Sequence, residues 1–236
     1  MRAEARPLYL QVREALVQRI ADGHWRAGDA LPSELALAAE LGVSQGTVRK
    51  ALDTLAADHL VDRRQGRGTF VPDQTAERAL FHFFRFEGPD GATLIPEPLD
   101  QTLARVAPPP AAAAALEDPG PDLWLITRRR SIAGAPALVE KIYLSPAHVP
   151  DPGSAETLPN ALYSHYQALT GLSVVRAEDH LSACAAPAEI AAALGQPQPP
   201  PVLHVERRAF DLTGRVLEYR LSWCLTAHCR YRVTLG

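Results

Sequence analysis

The 236-residue chain has no apolar run near the roughly 20 residues that a membrane-spanning helix needs. Its opening stretch, MRAEARPLYLQVREAL, sets Glu4 and Glu14 among arginines and contains no compact apolar segment followed by a small-residue cleavage site. Neither a membrane partner nor a secretory route is expected, and a cytoplasmic location is. Cysteine is scarce. Cys184, Cys224 and Cys229 are an odd number without metal-ligand spacing, so they read as free thiols packed as small hydrophobes, not as a disulfide framework or a zinc site. No two of the eight histidines stand three or four residues apart. A Gly-rich phosphate loop and a nucleophile elbow are missing, and no Ser, His and Asp triad can be assembled from sequence alone. No metal, cofactor or catalytic residue is therefore predicted.

Basic charge is also in short supply: 24 Lys and Arg face 27 Asp and Glu, for a net charge of −3 and a pI near 6.2. A nucleic-acid binder usually shows a basic footprint. The average hides a division, however, because the first 72 residues hold 10 basic and 9 acidic side chains and leave 14 and 18 for the rest. Arg63 to Val71 has three arginines and no acid. A local patch of this kind, and not the total, sets the attraction for phosphate.

Leu8, Val12, Leu16 and Ile20 recur every fourth residue and predict a helix over about 8–22, closed by Gly23. Ser33 is a good N-cap for a short helix carrying Leu35, Leu37, Ala38 and Leu41, and Gly42 closes it. Ser44 can cap a third helix. There Val48, Ala51, Leu52 and Leu55 form the buried stripe, and the opposite side presents Gln45, Arg49 and Asp53 with Thr47 and Lys50 alongside. Next come two β-prone runs, Leu60 to Arg63 and Thr69 to Val71, around a Gly66-Arg67-Gly68 turn. Helix, helix-turn-helix and basic hairpin are the order of a winged helix-turn-helix, whose third helix enters the major groove. The polar run 73–79 reads as a linker, giving domains at 1–72 and 80–236. In the second, residues 122–145 and 201–226 are two hairpins, around Ala133-Gly134-Ala135-Pro136 and Leu212-Thr213-Gly214-Arg215. NALYSHYQALTG and PAEIAAALG are helical runs, and PPPAAAAALED is an Ala-rich helix or a low-complexity loop. Strand pairs broken by a few helices predict an α+β domain on an antiparallel sheet.

The segment from Leu8 to Val71 resembles the DNA-binding domain of the GntR family of bacterial transcription regulators. It does so through Gly28, LPSE at Leu31 to Glu34, GVS at Gly42 to Ser44, TVR at Thr47 to Arg49, and RRQGRGTFV at Arg63 to Val71. LVEKIYL, Leu162-Tyr163, RAED, VLHVERRAFDLTGRVLEYR and the closing YRVTLG are similar to the UTRA ligand-binding domain, related in fold to chorismate lyase, of the HutC-like branch. The resemblance implies a homodimeric regulator, a repressor by preference, of double-stranded operator DNA, modulated by a small metabolite. Ser33, Ser44, Thr47, Lys50, Arg63 and Arg64 are then candidates for phosphate, Arg49 for base or phosphate, and Gln45 for a base edge. Gly66 and Gly68 permit close approach to the sugar-phosphate chain, and Arg67 at the tip suits the minor groove. The family often has Arg where this chain has Leu35 and Gln45. Arg reads guanine and Gln reads adenine, so a typical member's operator does not transfer directly.

Arg128 and Arg130 are two apart on a predicted strand and share one face, with Arg129 on the other. Such a pair can clamp a phosphate or carboxylate, or it can simply face solvent at a strand edge. The resemblance implies the former, and adds Glu140, Tyr163 and Glu218 as effector contacts. Strand parity puts Glu218, Arg220 and Ser222 opposite Tyr219, Leu221 and Trp223, which suits a polar cavity holding Arg220 or a solvated surface. An anionic effector is the expectation. Two alternatives stand beside it: a chorismate lyase-like enzyme, for which the N-terminal domain has no use, and a DNA binder without an effector. Gln45→Arg is expected to change operator preference more than overall affinity, as measured on a panel of single-base operator variants. Equal loss on all sequences would remove Gln45 from base recognition.

Overall fold

The computed structural model describes residues 6–58, 60–72, 85–117, 120–227 and 229–233, and the chain divides into two compact units. The first contains helices α1 (Leu8–Ala21), α2 (Glu34–Leu41) and α3 (Gln45–Ala57) and the hairpin of β1 (Asp62–Arg64) and β2 (Gly68–Phe70). Ser33 starts α2 by accepting the Ala36 N–H on its hydroxyl at 3.2 Å, and Ser44 does the same for Thr47 at 3.1 Å ahead of α3. Between them Gly42 takes a left-handed φ of 65°, which lets the chain turn from one helix into the next. The predicted stripe of α3 is the buried one: Val48, Ala51, Leu52 and Leu55 are at most 1 % exposed, and α1 and α2 both pack against this helix. Leu35 departs from the apolar pattern and is 68 % exposed. At about 100° per residue it lies some 200° around α2 from fully buried Leu37.

The hairpin is a little shorter than its β-prone runs suggest, because Leu60 and Val61 turn inward and join the core before β1 begins. It gains a third edge from the loop that precedes α2. Leu31 N–H donates to Thr69 O at 2.8 Å, Gly28 N–H to Val71 O at 3.0 Å and Val71 N–H to Asp29 O at 2.9 Å. The linker expected at 73–79, and the start of the second domain at 80–84, lie outside the described residues.

The second unit is built on a six-stranded antiparallel sheet in the order β4 (Glu97–Val106), β5 (Leu123–Ile132), β6 (Ala135–Leu144), β9 (Val216–Cys224), β8 (Pro201–Phe210), β7 (Arg176–Ala185). Both predicted hairpins are present as β5–β6 and β8–β9. The two edges, β4 and β7, carry no hydrophobic alternation because much of each is exposed, so apolar periodicity gives no sign of them. The Ala-rich run is a helix, α4 (Pro110–Leu116), with Pro110 in its first turn and Ala112, Ala115 and Leu116 buried. Cys224 and Cys229 are buried as small hydrophobes, but Cys184 is exposed on edge strand β7. Helix α5 (Leu162–Thr170) covers one face, where Tyr163 and Tyr166 pack with Ile126, Ile142 and Leu217. Helix α4 covers the other through Leu123, Tyr143 and Tyr219, and α6 (Ala188–Ala193) joins it over Val139 and Trp223. Two short strands, β3 (Phe86–Glu87) and β10 (Arg230–Tyr231), pair apart from the main sheet.

Leu55→Ala is expected to destabilise the first unit by about 2–5 kcal/mol, read from its denaturant unfolding midpoint, since the vacated space lies in the middle of the three-helix contact.

Candidate nucleic-acid interface and buried charged cluster

In the first unit the expected DNA-binding residues fall on one exposed tract of α3 and the hairpin. Ser44, Gln45, Arg49 and Lys50 are exposed, and Thr47 is half-buried with its hydroxyl 2.8 Å from that of Ser44. Ser33 is exposed at the start of α2. On the hairpin, Arg64 lies over the Phe70 ring at 4.4 Å, and Arg67 sits exposed between Gly66 and Gly68, whose φ angles are 70° and 110°. Lys50 rests over Tyr9 of α1, 4.2 Å from the ring centroid.

Arg63 is not presented outward as a free cation, as its place in the basic run suggested. It is paired with Asp53 and with Glu34. Glu34 itself was not singled out from the sequence, although it closes the LPSE stretch. Its carboxylate accepts from Arg49 Nε at 2.9 Å, from the same guanidinium's Nη2 at 2.8 Å and from Gln45 Nε2 at 3.2 Å. Hydrogen bonding to Arg49 first, then to Gln45 and Arg63, holds the Glu34 carboxyl below the usual carboxylate range, against a smaller upward push from burial.

In the second unit all six expected effector residues meet on the α5 face of the sheet. Register explains why: Arg128 on β5 stands opposite Glu140 on β6, Glu140 opposite Ser222 on β9, and Ile142 opposite Arg220. Arg207 on β8 then faces Arg220, and Asp179 on β7 faces Arg207. Arg128, Arg130, Glu140 and Glu218 are at most 3 % exposed, so neither a solvent-facing edge nor a solvated surface describes them. Arg129, on the opposite face, pairs with Asp100 as its parity requires.

The arginines do not form an open clamp. Arg128 donates to Gln101 Oε1 at 3.0 Å and to the carbonyls of Pro159 and Asn160 at 2.7 and 3.3 Å. Arg130 donates to Glu140 at 3.2 Å, to Pro96 O at 2.5 Å and to the Asn160 side chain. Arg220 reaches both oxygens of Glu218 at 2.8 and 3.0 Å and Glu140 at 3.0 Å. Glu218 also accepts the hydroxyls of Tyr163 at 3.0 Å and Tyr166 at 2.9 Å. Asn160, Gln101 and Tyr166 were not expected here, and neither were Arg207 and Asp179, which pair at 2.6 and 2.7 Å with Tyr231 against them. Only the register of β7 and β8 brings this acid and this base together, and β7 has no apolar period that would mark it as a strand.

Electrostatics follow from this packing. Burial alone would push the Glu140 carboxyl up, but Arg220, Arg130 and Arg128 outweigh it and hold it at about 2. Burial lowers Arg130 to about 10 and lowers Arg128 as well, with Glu140 opposing. Tyr166 is raised well above the usual phenol range, by burial and then by the neighbouring Glu218 charge. Beside the cluster is a cavity of about 30 Å³ lined by Glu140, Arg207, Arg220 and Ser222 and by Phe86 and Tyr231 of β3 and β10. It has room for a water or two, against the roughly 300–1,000 Å³ of a small-molecule pocket.

Residues 8–71 match the model of the bacterial regulatory proteins of the gntR family, and residues 101–230 that of the UTRA domain. The chain belongs to the GntR family. It is 33 % identical to the HTH-type transcriptional regulator SmoD of Agrobacterium fabrum over 95 % of this chain and 94 % of that one. To the mannosyl-D-glycerate transport/metabolism system repressor MngR of Escherichia coli it is 27 % identical, over 91 % and 90 %. The ligand-binding domain of a GntR-family regulator from Bordetella bronchiseptica superposes with a TM-score of 0.60 at 30 % identity, over 65 % of this chain and 98 % of that domain. The architecture is accordingly a winged helix-turn-helix followed by an α+β UTRA domain, and the family and these relatives are transcriptional regulators, not enzymes. GntR regulators bind DNA and UTRA domains bind small-molecule effectors. Among the described residues no helix is long and apolar enough to cross a membrane.

Because the Glu140 carboxyl is depressed from 4.5 to about 2 on folding, its stabilising contribution is present above about pH 4.5 and fades as pH falls towards 2. The depression corresponds to ~3 kcal/mol. Urea unfolding of the wild-type chain is expected to show that loss across the window, and Glu140→Gln to show a flatter pH profile and lower stability at pH 7.

Proposed function

We propose that this GntR-family chain is a homodimeric repressor whose affinity for its operator is modulated by a small anionic metabolite bound in the UTRA cluster. The division of labour would be DNA binding by residues 1–72, a linker at 73–79, and effector binding and dimerisation by 80–236, in the cytoplasm. One observation carries the anionic reading. The buried cluster holds four arginines, Arg128, Arg130, Arg207 and Arg220, against three acids, Glu140, Asp179 and Glu218. Arg128 is the unmatched one. It faces Glu140 across the sheet, but both oxygens of that carboxylate are taken by Arg130 and Arg220, and Arg128 is left with neutral acceptors. A buried excess charge is costly, and an incoming anion relieves the cost.

The small cavity supports a ligand that selects another arrangement of its lining. A metabolite needs more space than this cavity offers, so to bind there it would require Phe86 and Tyr231 of β3 and β10, which help to line it, to move aside. A ligand that prefers such an arrangement shifts the population towards it, and through that shift the affinity for DNA. Arg128, Arg130, Glu140, Tyr163, Glu218 and Arg220 would contact it. The relative named for a mannosyl-D-glycerate system points the same way, towards a carboxylate on a sugar-like body.

For DNA, one domain offers too few contacts for a specific site, and a dimer sets two α3 helices on half-sites about one helical turn apart. Arg49 and Gln45 would reach base edges. Ser33, Ser44, Thr47, Lys50 and Arg64 would hold phosphates, Arg63 would instead tie the hairpin to Glu34 and Asp53, and Gly66, Arg67 and Gly68 would follow the minor groove.

The test is a thermal-shift and operator-binding series with inorganic phosphate, glycerate, sugar phosphates and matched neutral sugars. Anions at about 100 times their Kd are expected to stabilise the chain by ~2.7 kcal/mol and change operator affinity. Arg128→Gln is expected to weaken anion binding at least tenfold, about 1.4 kcal/mol, with operator affinity kept. Stabilisation by neutral sugars and not by any anion would refute the anionic reading.

A further inference from the structure

We infer that Glu34 is a specificity-determining positioning residue: from its place on α2 it fixes how Gln45 and Arg49 of α3 present their hydrogen-bonding edges to DNA. This rests on the reading of α3 as the recognition helix. Glu34 is the first residue of α2, and its side chain is 17 % exposed in the angle between α2, α3 and the hairpin. It gathers donors from two other elements, Gln45 and Arg49 on α3 and Arg63 on β1.

The geometry sets what each partner can still do. An ionised carboxylate only accepts, so it selects the amide nitrogen of Gln45 and decides which way that side chain is flipped. The second N–H of that nitrogen and the carbonyl oxygen stay available, and they are the donor and acceptor that pair with adenine N7 and N6. Arg49 spends Nε and one N–H of Nη2 on Glu34, which leaves the outer edge of its guanidinium as the free fork, the edge that suits guanine O6 and N7. Both side chains have many rotamers, and ordering each at the moment of binding costs affinity for the correct sequence. A carboxylate that has already ordered them removes that cost only for sequences matching the preset edges. The same negative charge compensates Arg49 and Arg63, which weakens their indiscriminate attraction for phosphate. Both effects raise the ratio of specific to non-specific affinity.

The hairpin is tied into the same arrangement. Arg63 bridges Glu34 to Asp53 near the middle of α3, so the carboxylate joins the wing to the recognition helix. Ser33, and not Glu34, caps α2, so Glu34 can be replaced with the helix start intact.

The experiment uses the full chain. The wild-type protein selects a reference site from randomised duplex DNA, and its affinities for that site, for every single-base variant and for unrelated DNA are compared with those of Glu34→Ala, Glu34→Gln, Gln45→Ala and Arg49→Ala at two salt concentrations. Glu34→Ala is expected to lose about tenfold of discrimination at the base positions that Gln45→Ala and Arg49→Ala flatten, and to bind unrelated DNA more tightly. The double variant Glu34→Ala/Gln45→Ala is expected to lose no more discrimination than Gln45→Ala alone at the Gln45 position. Glu34→Gln keeps an acceptor oxygen and loses the charge. It is expected to retain most of the discrimination and to share the tighter binding to unrelated DNA. An unchanged base profile in Glu34→Ala with its melting temperature kept, or additive losses in the double variant, would overturn the assignment. If the wild-type chain enriches no site, the reading of α3 falls, and this inference with it.

Discussion

Glu140, held between Arg130 and Arg220 on one face of the sheet, is the contact on which the second unit depends. Seven charged groups meet there, and the cost of burying any one of them alone is several kcal/mol. Arg207 and Arg220 stand directly opposite each other across β8 and β9, an arrangement that repels unless acids are close at hand. Asp179 takes one and Glu218 takes the other, while Glu140 links Arg220 to Arg130 across two further strands. The chain is one of bonded neighbours. Tyr163, Tyr166, Asn160 and Gln101 fill the positions that charges leave, so that neutral hydrogen bonds complete what ion pairing begins.

How much of this is legible in the sequence depends on where each residue's partners lie. The winged unit is written locally, in Ser33 and Ser44 as caps, Gly42 as the stop, and the four-residue stripe of α3, so its elements and their order follow from short-range chemistry. The faces of β5 and β9 follow from parity alone, and these put Arg128, Arg130, Glu218 and Arg220 on the side they occupy. Parity says which side chains share a face but not what covers it. Whether Arg128 and Arg130 meet solvent or each other's neighbours was decided by α5 and the Pro159-Asn160 segment, which reach them from 30 or more residues along the chain. The edge strands could not be read from apolar rhythm because much of each is exposed, and Asp179, although it ends the RAED stretch, could not be placed against Arg207 without their register. Glu34 was missed for a related reason. Its partners lie 11, 15 and 29 residues away, a spacing with no helical or strand period.

Both units treat arginine in the same way. Arg49 and Arg63 in the first, and Arg130, Arg207 and Arg220 in the second, are held by carboxylates of the chain itself. An arginine so held keeps one conformation and its charge is compensated, which limits its attraction for any passing anion. The consequence for recognition is selective. A partner anion gains only the difference between its own contacts and those of the acid already present, so it must match the remaining edges well to bind at all.

Arg128 is the exception that gives this arrangement a direction. Its three acceptors are an amide and two backbone carbonyls, which solvate a guanidinium without neutralising it. Burial accordingly drives its pKa down, with Glu140 opposing, whereas Arg220, at the other end of the same network, is raised because acids outweigh its burial. Charge compensation across the cluster is therefore uneven, and least complete at Arg128, whose acceptors are all neutral. An anion placed there completes the alternation of charge and competes with two carbonyls instead of a carboxylate, so its net gain is larger than at any other arginine of the face. Under the proposed anionic reading it would also displace the segment that carries those carbonyls and Asn160, whose side chain bonds Arg130. Under that reading charge neutralisation and the movement of a covering segment would be one event, which is the coupling that a ligand-responsive domain requires.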